Sequence, residues 1–456
     1  MTQIHDVVVL GGGPSGLAAA IALGARGRSV VVLERGRLGR PRVGETFGPE
    51  IEPHLATLGV REVFRAEACV PFRGVRSAWG SAEITARPSI VHPLGEGFHV
   101  DRARFDAMLA GAAAERGVVL REETGVPTIE EAAEGFFVRS RDGVEVRCRF
   151  VVDASGRGAP AGAVGSSARR WVACDRTIAI LARMTPPEGR DVEPELLIES
   201  AEEGWWYVAP QPGRKLFCVL LTDADLTAGA PRAEPLERFR AALERTNHVR
   251  ALAEGCTIDE PPRVVRADVG MLVPGRGARW CAVGDALVAG DPLAGDGVAR
   301  GFHSAIEAAT DIDRALAEGA DALPEAATDA AAFLAGHLDR RARYYGMEPR
   351  FSEALFWKRR QAFDWQAAPI GLDPRVTLRW DGREPDPHAI APIEALVPPK
   401  ALASVLDFLR SPRAAHEALA ALRSAAPLGD RRLLVGLEGL VALGIVNEEA
   451  VSALRG

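Results

Sequence analysis

The sequence predicts an α/β fold: a Rossmann-type nucleotide domain interrupted by an antiparallel (α+β) insertion and followed by a small helical C-terminal domain. Three observations carry this. The chain opens with a strand (Asp6 to Leu10), a glycine turn (Gly11-Gly12-Gly13-Pro14-Ser15-Gly16) and an apolar helix from Leu17. From about Trp171 to Asp223 the apolar pattern changes to period two, the signature of half-buried strands. A strand at Trp280 to Val283, a Gly/Asp turn and a long amphipathic helix from Val298 to Leu316 then restore the opening pattern.

Each element has a local cause. Gly11 lets the chain turn, Gly13 lets backbone approach a pyrophosphate, and Gly16 lets helix and strand pack closely. The helix N-terminus, with Pro14 and Ser15 in its first turn, offers free N–H groups and a positive dipole end to phosphates. Glu34 ends a second strand (Ser29 to Leu33), about twenty residues on, where a carboxylate meets ribose hydroxyls. A loop with Pro41 and Gly44 leads to a helix-like stretch at Pro49 to Leu58, then strand-like alternation from Phe72 to Ile84. Asp101 is placed to cap a helix running through Arg116. Strands follow at Val118 to Arg121, Gly135 to Ser140 and Val144 to Val152. The boundaries expected are 1–170 with 263–360 for the nucleotide domain, including part of the substrate sheet at 72–100. The inserted sheet domain takes 171–262, a Pro/Asp/Gly-rich linker 361–400, and a helical, winged-helix-like domain 401–456.

Composition narrows the class. A chain of 456 residues, 47% apolar and 26% charged, buries a large core. A formal charge of −7 argues against a nucleic-acid surface. No apolar run reaches the ~18 residues of a membrane span. The first strand begins almost at Met1, so no targeting peptide is expected and the compartment expected is the cytoplasm. Six cysteines, without C-x-x-C or Cys/His clustering, read as free thiols; no metal site is expected.

Two later segments decide what the nucleotide domain holds. Val151-Val152-Asp153-Ala154-Ser155-Gly156-Arg157 ends one strand, and Ala282-Val283-Gly284-Asp285-Ala286 ends another, followed by Asp291-Pro292-Leu293-Ala294-Gly295-Asp296-Gly297. A strand delivering Gly-Asp places a carboxylate against a sugar or ribitol hydroxyl. The glycine-rich run before a helix presents N–H groups to an electron-rich ring edge. With Asp101-Arg102-Ala103-Arg104-Phe105-Asp106, this set resembles the class A flavoprotein monooxygenases over about residues 5 to 310. The resemblance implies FAD. The expected cofactor-binding set is Gly11, Gly13, Pro14, Ser15, Gly16, Glu34, Arg35, Arg42, Arg104, Val126, Asp153, Gly284, Asp285, Pro292, Gly295 and Gly297. No separate NAD(P)H domain is evident.

Arg42-Val43-Gly44-Glu45-Thr46 is similar to a stretch of the flavin-dependent halogenase branch. Ser77-Ala78-Trp79-Gly80-Ser81, Gly97-Phe98-His99-Val100-Asp101-Arg102, Tyr344-Tyr345 and Phe356-Trp357-Lys358-Arg359-Arg360 resemble the halogenase-like maturation flavoproteins. Those proteins oxygenate a tryptophan in a partner polypeptide during tryptophylquinone cofactor biogenesis. Halogenation itself is disfavoured. Gly204-Trp205-Trp206-Tyr207-Val208-Ala209-Pro210 departs from the halogenase G-W-x-W-x-I-P pattern, and no lysine precedes Lys215; Lys358 and Lys400 complete the set. Oxygenation through a flavin C4a-hydroperoxide asks only that water be excluded and the ring oriented.

For catalysis the expected residues are Trp79, Trp205, Tyr207, Glu45, Asp291 and Asp296. On a strand Trp205 and Tyr207 share a face while Trp206 points away, so at least one of the three packs the core. The alternative reading is a turn or helix cap for Asp291 and Asp296, a structural histidine for His99 and a solvent-facing one for His303. The function expected is an FAD-dependent monooxygenase hydroxylating an aromatic ring, foremost a Trp side chain of a protein or peptide. NAD(P)H or a partner reductase is the expected electron source. Rival readings are a small-molecule aromatic hydroxylase or halogenase, a reductase of isoprenoid double bonds, and a non-catalytic flavin-binding maturation partner. The C-terminal domain reads equally as a docking unit for a protein substrate and as a stabilising cap or dimer contact.

Overall fold

The computed structural model describes residues 4–39, 44–67, 69–89, 92–141, 143–158, 169–226, 234–324, 329–361 and 372–449. The strand Ile4–Leu10 lies at the centre of a parallel sheet, between Glu145–Asp153 and Val30–Leu33. Val119–Arg121 and Trp280–Ala282 extend it in parallel on either side. Both faces of the Ile4–Leu10 strand are covered, so Val7 to Leu10 is a continuous buried run rather than an alternating one. The helix Pro14–Gly24, mostly Ala, Leu and Ile, is buried from Gly16 to Leu23. It packs against the long helix Gly297–Glu318 and the helix Arg102–Ala114, joining the three into one core.

The antiparallel insertion is as expected from period-two patterning. Its main path runs Thr177–Thr185, Lys215–Asp223, Gly204–Gln211, Leu196–Ala201, Gly74–Ala78 and Thr85–Pro88. Leu196–Ala201 and Gly74–Ala78 pair in parallel; the other neighbours on this path are antiparallel. Two cores result. Trp206 packs with Phe239 on the outer face, while Trp205, Phe217 and Leu221 face Tyr345 and Trp357 on the inner one.

Two expectations are corrected. The alternation from Phe72 to Ile84 is not one strand: Gly74–Ala78 ends at Trp79, and Gly80 turns with φ +77° before Thr85–Pro88 returns. A Cβ at Gly80 would lie 2.6 Å from the Met347 carbonyl oxygen, so the turn exists to dock on that loop. Nor is 361–400 an irregular linker where it is described. Thr377–Trp380 is a strand and Pro387–Leu396 a helix of the C-terminal unit. The Pro and Asp content hid a helical stripe of Ile390, Ile393 and Leu396, all buried. The unit continues with helices Pro399–Phe408, Ala415–Ala425 and Asp430–Ala442, and Thr377–Trp380 pairs with Arg413–Ala414 and Val446–Glu449. Its core is shared with the helix Asp329–Gly346 and the strand Gly270–Val273. The six cysteines are free. No single helix among the described residues is long and apolar enough to cross a membrane.

Candidate active site

The glycine turn is built for close approach. Gly11 has φ +103°, and a Cβ there would lie 2.5 Å from the Ala154 carbonyl oxygen. A Cβ at Gly16 would sit 2.0 Å from the Gly11 oxygen. The two strand-end motifs are thereby pressed together, leaving Gly13 as N-cap and Pro14 in the first turn of the helix. Ser15 packs against Gly284 and Gly301; a Cβ on either would lie 2.3 Å from its hydroxyl oxygen. The Glu34 carboxylate, buried at the strand end, accepts the Gly12 N–H at 2.7 Å and the Gly36 N–H at 3.1 Å. Thr124 bonds the Glu34 carbonyl oxygen, which brings the exposed Val126 beside this rim. Arg35 is exposed, and Arg42 lies outside the described residues.

Arg157 ties the second motif to the third. Its Nε donates to Asp285 Oδ2 at 2.9 Å, Nη1 to the Asp268 carbonyl and Nη2 to the Gly290 carbonyl. Burial opposes ionisation of Asp285, but Arg157 and Arg300 outweigh it and hold the carboxyl below its ordinary range. Asp285 Oδ1 is buried and accepts no hydrogen bond, with Arg300 at 3.6 Å. An oxygen in that state fits a cofactor hydroxyl, and open space over Gly156 and Gly295 fits an approaching ring. Pro292 opens a single helical turn, Gly295 closes it at φ +68°, and Gly297 begins the long helix. Asp153 is turned inward instead: Ser155 and Arg169 occupy both its oxygens.

Beside that turn stands a deeply buried carboxyl. Gly44, at φ +91°, brings Glu45 down against Val100, whose N–H donates to the Glu45 carbonyl. A Cβ on Gly44 would meet Arg102 Nη1 at 2.9 Å and Val298, in the first turn of the long helix, at 4.0 Å. Glu45 is 1% exposed; the Tyr207 hydroxyl donates to its Oε2 at 3.4 Å, and its Oε1 has no partner. Burial pushes its pKa up to about 7 although Arg102 pulls it down. The Tyr207 hydroxyl is raised by burial and by the same carboxylate.

An aromatic wall continues from Tyr207. Trp205 lies 6.1 Å from it and 6.2 Å edge-on to Trp79, which meets Tyr345 at 5.6 Å and Trp357 at 5.1 Å. These rings are fixed by hydrogen bonds as well as contact. Trp205 Nε1 donates to the Tyr345 hydroxyl at 2.9 Å, and that hydroxyl donates to Asp291 Oδ2 at 3.0 Å. Trp79 Nε1 donates to the Tyr344 carbonyl, and the Gly80 N–H to the buried Glu348. Asp291 also caps Leu293 and pairs with Arg341, whose other partner is Asp175.

The structure gathers Glu45, Trp79, Trp205, Tyr207 and Asp291 at one place, with Asp291 fully bonded. Asp296 stands outside, 43% exposed at the start of the long helix. His303 is exposed and pairs with Glu307. His99 is buried between Thr46 and the Pro194 carbonyl, and burial lowers it to about 4. Arg104 points to the surface and pairs with Glu67, whereas Arg102 turns inward on Asp106 and Gly44. Arg102 was legible from its i,i+4 spacing to Asp106, the geometry of a helix ion pair. Arg341 had no such local signal, because its partner Asp291 lies fifty residues away, and Tyr345, marked only by the resemblance, reaches the same carboxylate across fifty-four.

Residues 5–338 match the profile of the FAD binding domain family. The putative FAD-dependent oxidoreductase LodB of Marinomonas mediterranea is 30% identical over 369 residues, 79% of this chain and 98% of that protein. The myxobacterial chondrochloren halogenase CndH superposes with a TM-score of 0.69 at 22% identity, over 79% of this chain and 87% of its own. The flavin-dependent halogenase CmlS does so at 0.67 and 18% identity, over 99% and 97%. The two superpositions speak to the fold.

Proposed function

The chain belongs to the FAD binding domain family and is an FAD-dependent oxidoreductase; we propose that it is a monooxygenase that hydroxylates an aromatic ring, foremost a tryptophan side chain of a protein or peptide. The Gly11–Gly16 turn, Glu34, Asp285 and the Gly295–Gly297 run would hold FAD, which when reduced would supply the activation of dioxygen. Its electrons come from NAD(P)H or a partner reductase. The chain's own residues then do three things. Trp79, Trp205 and Tyr207 orient the substrate ring and keep water out. Burial raises the Glu45 carboxyl to about 7, with Arg102 and Tyr207 restraining the rise, so that it can exchange a proton at neutral pH. Glu45 Oε1, free of partners, takes the proton that the ring carbon sheds when it gains oxygen.

The observation that carries this reading is a closed aromatic wall beside a titrating carboxyl with no lysine in it. Lys215 pairs with Asp259 at one end of the sheet, Lys358 reaches Glu353 at the surface, and Lys400 is exposed. A macromolecular substrate is favoured by the exposed Tyr344 and Met347, apolar side chains on the segment whose carbonyls meet Trp79 and Gly80. The test is tandem mass spectrometry of a tryptophan-bearing polypeptide encoded beside the gene, coexpressed with and without this protein. One or two oxygens on a single tryptophan, only when the flavoprotein is present, is the expected result. An unmodified tryptophan, with FAD bound and reductant supplied, moves the substrate to free aromatics.

A further inference from the structure

The inner face of the antiparallel sheet carries two donors that nothing accepts. Register fixes their place: Leu181 lies opposite Val219 and Val219 opposite Tyr207, while Arg183 lies opposite Phe217 and Phe217 opposite Ala209. Gln211 follows Ala209 by two residues. Leu181, Arg183, Phe217, Val219, Tyr207, Ala209 and Gln211 therefore share the face that carries Trp205. Arg183 Nε and Nη2 are buried without an acceptor. Gln211 is 4% exposed, and its Nε2 is likewise buried without one. Two other charged side chains on this face are matched. Lys215 has Asp259, and Asp223 has Arg359 and Arg360. Arg183 has no carboxylate among the described residues.

A guanidinium with buried, unbonded N–H groups is costly unless a ligand completes it. Arg183 is level with Ala209 two strands away, so Tyr207 lies one row off, about 7 Å along the strands and about 10 Å across them. We propose that Arg183 and Gln211 form an anion subsite that holds a carboxylate of the substrate while its aromatic ring lies against Tyr207 and Trp205. This rests on the aromatic-substrate reading above. The carboxylate belongs either to an acidic residue of a polypeptide or to a free aromatic acid; the chemistry recognised is the same, a two-oxygen acceptor for a forked donor.

The experiment is equilibrium binding to the FAD-loaded protein, read by flavin absorbance and calorimetry, of indoleacetate and of skatole, its neutral counterpart. The wild type is expected to prefer indoleacetate by about tenfold or more, the size of a charge-assisted hydrogen bond. Arg183→Met is expected to bring the ratio near one, and Gln211→Leu to reduce it. Equal affinities in the wild type, no saturable binding of either probe, or a preference that survives Arg183→Met overturns the proposal. Should Arg183→Met fail to fold or hold FAD, the wild-type ratio and Gln211→Leu decide alone. Blocked Glu-Trp and Gln-Trp peptides then identify the source. A preference for the Glu peptide assigns the carboxylate to a polypeptide, and a preference confined to indoleacetate assigns it to a free acid; either retains the subsite. Oxygenation is read by mass shift, so failure of that reading and failure of this one are separate results.

Discussion

Replacing Glu45 by Gln tests the site where burial and chemistry meet. Glu45 titrates near 7 in the fold against 4.5 ordinarily, so the folded chain binds its proton more tightly than the unfolded one. The stability this confers is complete below the ordinary value and is lost as pH rises through about 7. That interval corresponds to about 3 kcal/mol. Gln keeps the shape and a hydrogen-bonding partner for Tyr207 but has no charge to bury. Glu45→Gln is therefore expected to match the wild type near pH ~5 and to exceed it by up to about 3 kcal/mol near pH ~8. Glu438, also raised to about 7 by burial, and His337, lowered to about 4, titrate in both proteins and cancel in the difference. Urea unfolding of both proteins across this range measures it. A difference that stays flat with pH, or that favours the wild type more as pH rises, refutes the placement of Glu45 as a buried, proton-binding carboxyl.

Three further outcomes follow from the same geometry. Gly16→Ala places a methyl 2.0 Å from the Gly11 oxygen, so FAD binding measured by absorbance should be lost and stability should fall by about 1–3 kcal/mol. Arg341→Met strands Asp175 and Asp291 without their shared cation; a loss of about 3–5 kcal/mol in chemical unfolding is expected, and no loss would mean the pair is hydrated. Tyr345→Phe leaves the Trp205 indole N–H without its acceptor, which should cost about 1–3 kcal/mol and slow oxygenation while FAD content stays unchanged.

The sequence alone determined what rests on short-range pattern. The glycine turn, Glu34, the Gly284-Asp285 end and the period-two strands are each spelled within a few residues, since turns, helix starts and sheet faces obey local sterics. Hence the fold class, the flavin motif and the split of Trp205 and Tyr207 from Trp206 were legible. Tertiary structure decided what rests on distance. That Arg102 rather than Arg104 turns inward depends on the space beside Gly44, fifty-eight residues away. That Asp153 is occupied by Arg169, and Asp291 by Arg341 and Tyr345, depends on which cation the fold brings to each carboxylate. Asp285, Glu45, Arg183 and Gln211 were ordinary residues until burial removed water and left a polar atom of each without a hydrogen-bond partner. A polar group's chemistry is written in its side chain, but whether that chemistry is spent inside the protein or kept for a ligand is settled only when the whole chain has closed around it.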